Sequence, residues 1–243
     1  MAMIFGINSV MGRMQQTKGI QRLLLRDGEL SSRLQAALDR AKSAGIPCTR
    51  ISEDEFKGHT DVNHQGVGLE VDHIRTLDES ALYDILDDPP SQPLLLILDG
   101  VTDPRNLGAC IRSAATLGVH GVIQPKDRSA PLNDAAIKTA SGAAAAIPVI
   151  EVVNLSRTMK LLQQHGVWIV GTTLDADKTL TEMDMTGPTA LVLGSEEKGI
   201  RAGTAKHCDF LATIPMMNDG FGFNVSVAAG ICLYEVTRQR AAQ

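Results

Sequence analysis

Residues 94–98 read Leu-Leu-Leu-Ile-Leu and run straight into Asp99 and Gly100. An aliphatic run with no polar alternation suits a strand buried on both faces, and such a strand needs helices above and below it. The rest of the C-terminal half supplies them. A helix is predicted over 107–117 and closed by Gly118. Strands are predicted over 119–123, 147–153, 167–170, 190–193 and 210–215. Asn154 and Gly166 bracket a further helix, and a last helix covers 225–238. Strands separated by helices predict an α/β domain built on a parallel sheet.

A second unit precedes it. Residues 20–26 read as a strand, and 66–71 as a shorter one. Between them Ser32 and Gln35 stand at capping-box spacing, and Leu34, Ala37, Leu38 and Ala41 recur at helical spacing. Pro89, Pro90 and Pro93 cannot sit inside a regular element. The expected organisation is a small α/β domain over 1–75, a linker over 76–93 and a larger α/β domain over 94–243.

The formal net charge of −5 conceals an asymmetry. Residues 1–50 hold eight Lys and Arg against three acids, whereas residues 51–98 hold two bases against eleven acids. A basic segment in an acidic chain is either a surface facing a polyanion or a set of solvated helix faces.

Several function classes are excluded or disfavoured. No apolar stretch approaches the roughly 18 residues of a membrane span. The start of the chain lacks the pattern of a secretory signal, and the four cysteines form no C-x-x-C pair, so a cytoplasmic protein with reduced thiols is expected. The six histidines and four cysteines show no zinc-ligand spacing. The dinucleotide fingerprint and the phosphate-binding P-loop are both absent. Aromatic residues make up 3% of the chain, too few for base stacking on an aromatic platform to dominate. Cys110 lies in an Ala- and Leu-rich helix, a position that suits packing rather than nucleophilic attack.

In open α/β sheets ligands bind beyond the carboxyl ends of the strands. Three of these ends are polar and Gly-rich: 99–112, 194–199 and 214–224. Taken singly, their residues are ambiguous. Asn106 can cap a helix and aim its amide into the loop crevice. Arg112, six residues on, does not share a helix face cleanly with it. Glu196 either favours the dipole of a helix after Gly194 or serves a site. Asn224 either caps the final helix or does the same.

Together these residues resemble the SpoU/TrmH family of RNA ribose 2′-O-methyltransferases, members of the SPOUT superfamily. The N-x-G-x-x-x-R motif is 106–112, the L-x-x-G-x-E-x-x-G motif is 191–199, and the third motif is 214–228, read here as Ile-Pro-Met and then Asn-Val-Ser-Val-Ala. The start of the chain, Ile-Phe-Gly-Ile-Asn-Ser-Val, and the run 64–67 resemble that family's ribosomal-protein-like substrate-binding domain, so the likeness covers nearly the whole chain. One departure stands in the third motif. The family usually has Ser-Leu-Asn where this chain has Gly222-Phe223-Asn224, and Gly222 cannot supply a hydroxyl.

The resemblance implies a trefoil-knotted catalytic domain, S-adenosylmethionine as cofactor, no metal, a homodimer, and transfer of a methyl group to a guanosine 2′-hydroxyl in 23S ribosomal RNA. It implies Arg112 as the group that stabilises the forming 2′-oxyanion or, deprotonated, accepts the proton. Asn106, Glu196 and Asn224 are implied as supporting groups, and Gly194, Ile214, Met216 and Phe223 as the cofactor's surroundings. Arg13, Arg22 and Arg26 of the basic segment become the expected phosphate contacts. Two other readings remain at this point: a catalytically weak RNA-binding assembly factor that keeps the fold, and a methyltransferase for another RNA such as transfer RNA.

Overall fold

The computed structural model describes residues 2–14, 19–59, 64–72, 74–87, 92–218 and 222–242. Lys18, His73, Pro89, Pro90 and residues 219–221, all used in the sequence reading, lie outside them. The chain divides into two compact units. One is Met1–Arg75 with Ser141–Ala146, and the other is Thr76–Ala140 with Ile147–Gln243.

The first unit runs β1 (Ala2–Phe5), α1 (Ile7–Arg13), β2 (Ile20–Arg26), α2 (Ser32–Ser43), β3 (Cys48–Ile51), α3 (Glu53–His59) and β4 (Val67–Val71). Its sheet order is β1-β4-β2-β3. β4 pairs antiparallel with both neighbours, and β2 pairs parallel with β3. The cap of α2 is Ser31, not Ser32: its hydroxyl accepts from the Leu34 amide at 3.4 Å. Of the residues at helical spacing, Leu34, Ala37 and Ala41 enter the core with Leu23, Leu25 and Leu69, and Leu38 packs against it half-buried. β1, β3 and the helices α1 and α3 were not anticipated. Each spans seven residues or fewer, too short for periodicity to declare itself.

The second unit continues with α4 (Ser80–Asp87), β5 (Leu94–Asp99), α5 (Pro104–Thr116), β6 (Gly121–Pro125), α6 (Asp134–Ala140), β7 (Val149–Val152), α7 (Leu155–Gln164), β8 (Trp168–Thr172), β9 (Thr189–Gly194), α8 (Ala202–Ala205), β10 (Phe210–Ala212) and α9 (Val225–Ala241). All six strands are parallel, in the order β10-β8-β9-β5-β6-β7. Every residue of β5 is buried, as its composition demanded. Leu95 and Ile97 join Leu82, Leu86, Leu155, Met159 and Leu162 from α4 and α7 in one core cluster. Their neighbours Leu94, Leu96 and Leu98 point to the opposite face by strand alternation. α5 and α9 pack against each other, and against β6 and β9 respectively. Truncating any one of these leucines to Ala costs about 2–5 kcal/mol.

α5 starts earlier than the apolar pattern indicated. Asp103 is its cap, with Oδ1 accepting from the Arg105 amide at 2.7 Å, and Pro104 occupies the first helical position. Proline is favoured there because its missing N–H has no helical partner anyway. Asn106 is therefore inside the first turn and does not cap the helix. Gly108 lies where α5 crosses α6: a Cβ there would stand 2.3 Å from the Ala136 carbonyl oxygen. The glycine of the first motif is thus a close-packing requirement between two helices.

Candidate active site

Three loops meet beyond the carboxyl ends of β5, β9 and β10. The loop after β9 is not the start of a helix, as the dipole reading of Glu196 required. It is a tight turn in which Ser195 and Gly199 exchange two backbone hydrogen bonds, of 3.1 and 2.8 Å. Gly194 lets the returning chain lie against it, since a Cβ there would stand 1.9 Å from the Gly199 carbonyl carbon. Gly199 holds φ at 62°, a left-handed conformation that glycine adopts without steric cost. The turn is anchored from below by Asp99, 1% exposed. Its carboxylate accepts from the Arg201 amide at 2.9 Å and from Arg201 Nε at 2.7 Å. The sequence reading missed this ion pair, because the partners are 102 residues apart and no local spacing links them.

The turn delivers Glu196 to Asn106 and Asn224. Asn106 Nδ2 donates to Glu196 Oε1 at 3.0 Å. Asn224 Nδ2 donates to Asn106 Oδ1 at 3.1 Å and also to Glu196 Oε1. The Val225 amide donates to the same oxygen at 3.3 Å. Two amides and a carboxylate thus close a triangle whose every edge is a hydrogen bond. Asn224 is also the cap of α9, accepting from the Ser226 amide at 3.0 Å. Glu196 does sit at a helix N-terminus, but that of α9, so its charge favours the dipole of a helix nearly thirty residues away. Oε2 of Glu196 has no protein hydrogen bond among the described residues.

Two cavities, each of about 360 Å³, meet at Glu196 and share Ser195, Glu196, Glu197, Lys198 and Val225. Gly194, Ile214, Met216 and Phe223, the four residues expected around the cofactor, all line the first. Thr172 at the end of β8, with Leu174 and Asp175 just after it, completes it, and none of the three was foreseen. The Gly171-Thr172-Thr173 strand end was the available signal. This cavity suits S-adenosylmethionine: its size lies in the ligand range, and Asp175, Glu196 and Glu197 offer negative charge to a cationic sulfur. A Cβ on Gly222 would meet nothing within 4 Å among the described residues. The second cavity is lined by Asp99, Gly100, Asn106, Arg128 and Arg201, among others.

Arg112 is not part of this constellation. It is exposed, lines neither cavity and has no side-chain partner among the described residues. Six helical residues from Asn106 carry it about 9 Å along α5 and onto another face. Within one chain, Arg112 and its implied supporting groups are therefore not brought together.

The basic segment also divides. Arg13 is 7% exposed, and burial lowers its pKa while Asp72 opposes that shift. As a phosphate contact at the surface it is withdrawn, since charge counting along a sequence does not register burial. Arg22 is half exposed and paired with Glu70. Arg26 is exposed, its guanidinium 3.5 Å from the Glu29 carbonyl oxygen. Cys110 is fully buried, and burial with nearby Glu196 pushes its thiol up to about 12. It is a packing residue. Among the described residues no helix is long and apolar enough to cross a membrane, and no group of three or more His, Cys, Asp or Glu could hold a metal ion.

Comparison with known proteins accords with this geometry. Residues 93–234 match the SpoU rRNA Methylase family, and residues 3–77 match a family described as RNA 2'-O ribose methyltransferase substrate binding. The 23S rRNA (guanosine-2'-O-)-methyltransferase RlmB of Coxiella burnetii is 46% identical over 240 residues, 98% of this chain and 96% of the relative. That of Escherichia coli K12 is 45% identical over 241 residues, covering 98% and 99%. The SpoU methyltransferase AviRb of Streptomyces viridochromogenes, solved with AdoMet, superposes with a TM-score of 0.73 at 23% identity, over 99% of this chain and 91% of that one. With both halves of the chain matched in register and the relatives aligned almost end to end, this protein belongs to the SpoU rRNA methylase family.

Proposed function

We propose that this protein transfers a methyl group from S-adenosylmethionine to the ribose 2′-oxygen of a guanosine in 23S ribosomal RNA, in the cytoplasm and as a homodimer. The observation that carries the reading is the wall shared by the two cavities: Glu196, held by Asn106 and Asn224, stands between a hollow that fits the donor and a second one open to substrate. Bound in the first hollow, S-adenosylmethionine supplies an electrophilic methyl carbon on a positively charged sulfur.

The residues divide the remaining work. The triangle fixes Glu196 through Oε1 and leaves Oε2 to accept the hydrogen of the ribose hydroxyl. Alignment of nucleophile and donor across a rigid wall lowers the barrier by pre-ordering. Guanidinium keeps its proton under ordinary conditions, so Arg112 acts by stabilising the forming oxyanion. Its absence from both cavities is met by a second copy, which brings Arg112 of one protomer to the cavities of the other. α9 supports that pairing: over residues 225–234 it is apolar all round apart from Ser226 and the Tyr234 hydroxyl, yet it leaves Val227 and Tyr234 exposed, 49% and 61%. A helix apolar on all sides is one that is buried in the working assembly.

The trefoil knot is part of the same reading. The donor hollow is walled by segments following β8, β9 and β10, and the last of these continues into α9, which packs on α5. Residues 1–75 serve as the RNA-binding domain through Arg22 and Arg26, and residues 76–243 as the catalytic domain, because α4 in the segment expected as a linker packs into the core of the second unit. The test is incubation with 23S ribosomal RNA and labelled donor, followed by mapping. The expected product is one guanosine methylated on its 2′-oxygen. RNA that is bound but unlabelled returns the protein to the assembly-factor reading. Labelled transfer RNA returns it to the other-RNA reading.

A further inference from the structure

The second cavity contains a cation that neither the motifs nor the triangle explains. Arg128 stands in the loop between β6 and α6, on the cavity wall, exposed and with no side-chain partner among the described residues. Its φ is 61°, in a region where non-glycine residues are uncommon and where strain is retained only if surrounding structure enforces it. The enforcement is visible. The Lys126 amide donates to the Val152 carbonyl at 2.9 Å and the Ala130 amide to the Val101 carbonyl at 2.8 Å. Gln124 Nε2 donates to the Ala130 carbonyl at 3.1 Å. A three-residue arch pinned at both feet therefore holds Arg128 over the hollow.

The other cations of this cavity are accounted for differently. Arg201 is committed to Asp99. Lys198 lies in the turn that both cavities share. Arg128 lines the second cavity and not the first, on the substrate side of Glu196. An unpaired guanidinium is a planar fork that matches two oxygens of a phosphate.

The structure assigns Arg128 to the phosphate adjoining the ribose that is methylated, as the residue that seats the target nucleotide in the second cavity. This rests on the methyltransferase reading above and adds a substrate contact to it. Recognition is of the phosphodiester, so it positions the nucleotide and carries no base information.

The test compares the full-length protein with Arg128→Gly and Arg128→Lys. Glycine takes φ near 60° without strain, so R128G removes the cation and keeps the arch. Binding of a labelled 23S ribosomal RNA fragment is measured across a salt series in the presence of S-adenosylhomocysteine, and turnover is measured separately. R128G is expected to raise the KM for RNA roughly tenfold or more and to flatten the salt slope by about one counter-ion. R128K is expected to keep the slope and lose part of the affinity. Donor affinity stays at the parent value in both. A parent-like RNA KM and salt slope in R128G overturns the assignment and leaves Arg128 a solvated surface charge. A parent protein that binds the fragment but methylates no ribose overturns the broader reading instead, and the salt slope still decides whether Arg128 touches phosphate.

Discussion

Asn106 and Glu196 are ninety residues apart in sequence and are joined by an amide-to-carboxylate hydrogen bond of 3.0 Å. That bond ties the loop after β5 to the loop after β9, and Asn224 locks it from the start of α9. Each Nδ2 hydrogen of Asn224 is used, one on Asn106 and one on Glu196, while its Oδ1 caps the helix.

The double duty of Asn224 separates into two measurable effects. Asn224→Asp keeps an oxygen for the cap, so the cap's contribution of about 1 kcal/mol is retained. It deletes both donor hydrogens and sets a second carboxylate against Glu196. Activity is expected to fall at least a hundredfold, as when one preorganised polar contact is removed from a site. Asn224→Ala is expected to lose the cap as well and to melt at lower temperature. Methyl transfer and thermal unfolding of the two variants, measured side by side, check this. Equal activity in N224D and the parent would remove the triangle from the mechanism.

Arg112 gives a test of the assembly. If it acts on the partner's cavities, Arg112→Ala and Glu196→Ala chains complement each other. Mixing equal amounts by co-refolding makes half of the dimers mixed, each with one intact site, so about a quarter of the parent rate is expected for a two-fold symmetric pair. Action within one chain restores nothing. The readout is label incorporated into ribosomal RNA by the mixture against either variant alone.

How much of this was legible beforehand depended on the range of the interaction. The β5 strand, the 20–26 strand and the Asn154 and Asn224 caps are local patterns, and they stand where periodicity and cap chemistry put them. The start of α5 was misjudged by following the apolar stripe from Leu107, although Asp103-Pro104 is itself a start signal. The turn at 195–199 was unreadable because its shape comes from Gly194 lying against Gly199 and from the Asp99–Arg201 pair. Arg13 looked like any other surface arginine until burial was known. The motifs delivered Asn106, Glu196 and Asn224 as a set, but spacing within a helix already warned that Arg112 would not join them.

The glycine of the second motif is expected to be irreplaceable. In Gly194→Ala the added methyl meets backbone atoms of Gly199 and Ile200 at 1.9–2.1 Å, and backbone cannot swing aside as a flexible side chain can. Forced overpacking of this kind costs about 1–3 kcal/mol. The turn that carries Glu196 should open, so donor binding and methyl transfer are lost while the far side of the sheet stays folded. Calorimetry with S-adenosylmethionine, together with circular dichroism, separates loss of the turn from loss of the fold. Parent-like donor affinity would mean that the turn is dispensable.

Thiol reactivity follows burial. Cys110 and Cys232 are fully buried, and burial is the leading cause that pushes both up to about 12. Cys208 is also pushed up to about 12. A raised thiol pKa means that the protonated, unreactive form persists through pH 8, because the thiolate is the nucleophile. Cys48 is the exposed cysteine, although desolvation raises it as well. Iodoacetamide at pH 8 is expected to modify Cys48 first in the native protein, and Cys110 only after denaturation. Peptide mapping by mass spectrometry reads the order. Early alkylation of Cys110 with loss of activity would revive it as a functional thiol.

Gly222 offers a gain rather than a loss. It lines the donor hollow, and a Cβ there meets nothing within 4 Å. Its φ is outside the left-handed region, so a side chain brings no backbone strain and no clash with the described residues. Gly222→Ser restores a hydroxyl that can both donate and accept, and a net hydrogen bond of about 0.5–1.5 kcal/mol corresponds to roughly two- to tenfold tighter donor binding. Replacing glycine also removes unfolded-state freedom, which adds to stability in the same direction. The dissociation constant for S-adenosylmethionine, and the thermal midpoint with and without it, measure the two effects apart. A weaker donor affinity in G222S would show that this chain uses the open space at Gly222 for the ligand itself, and that the departure from the family's serine is an adaptation rather than a deficit.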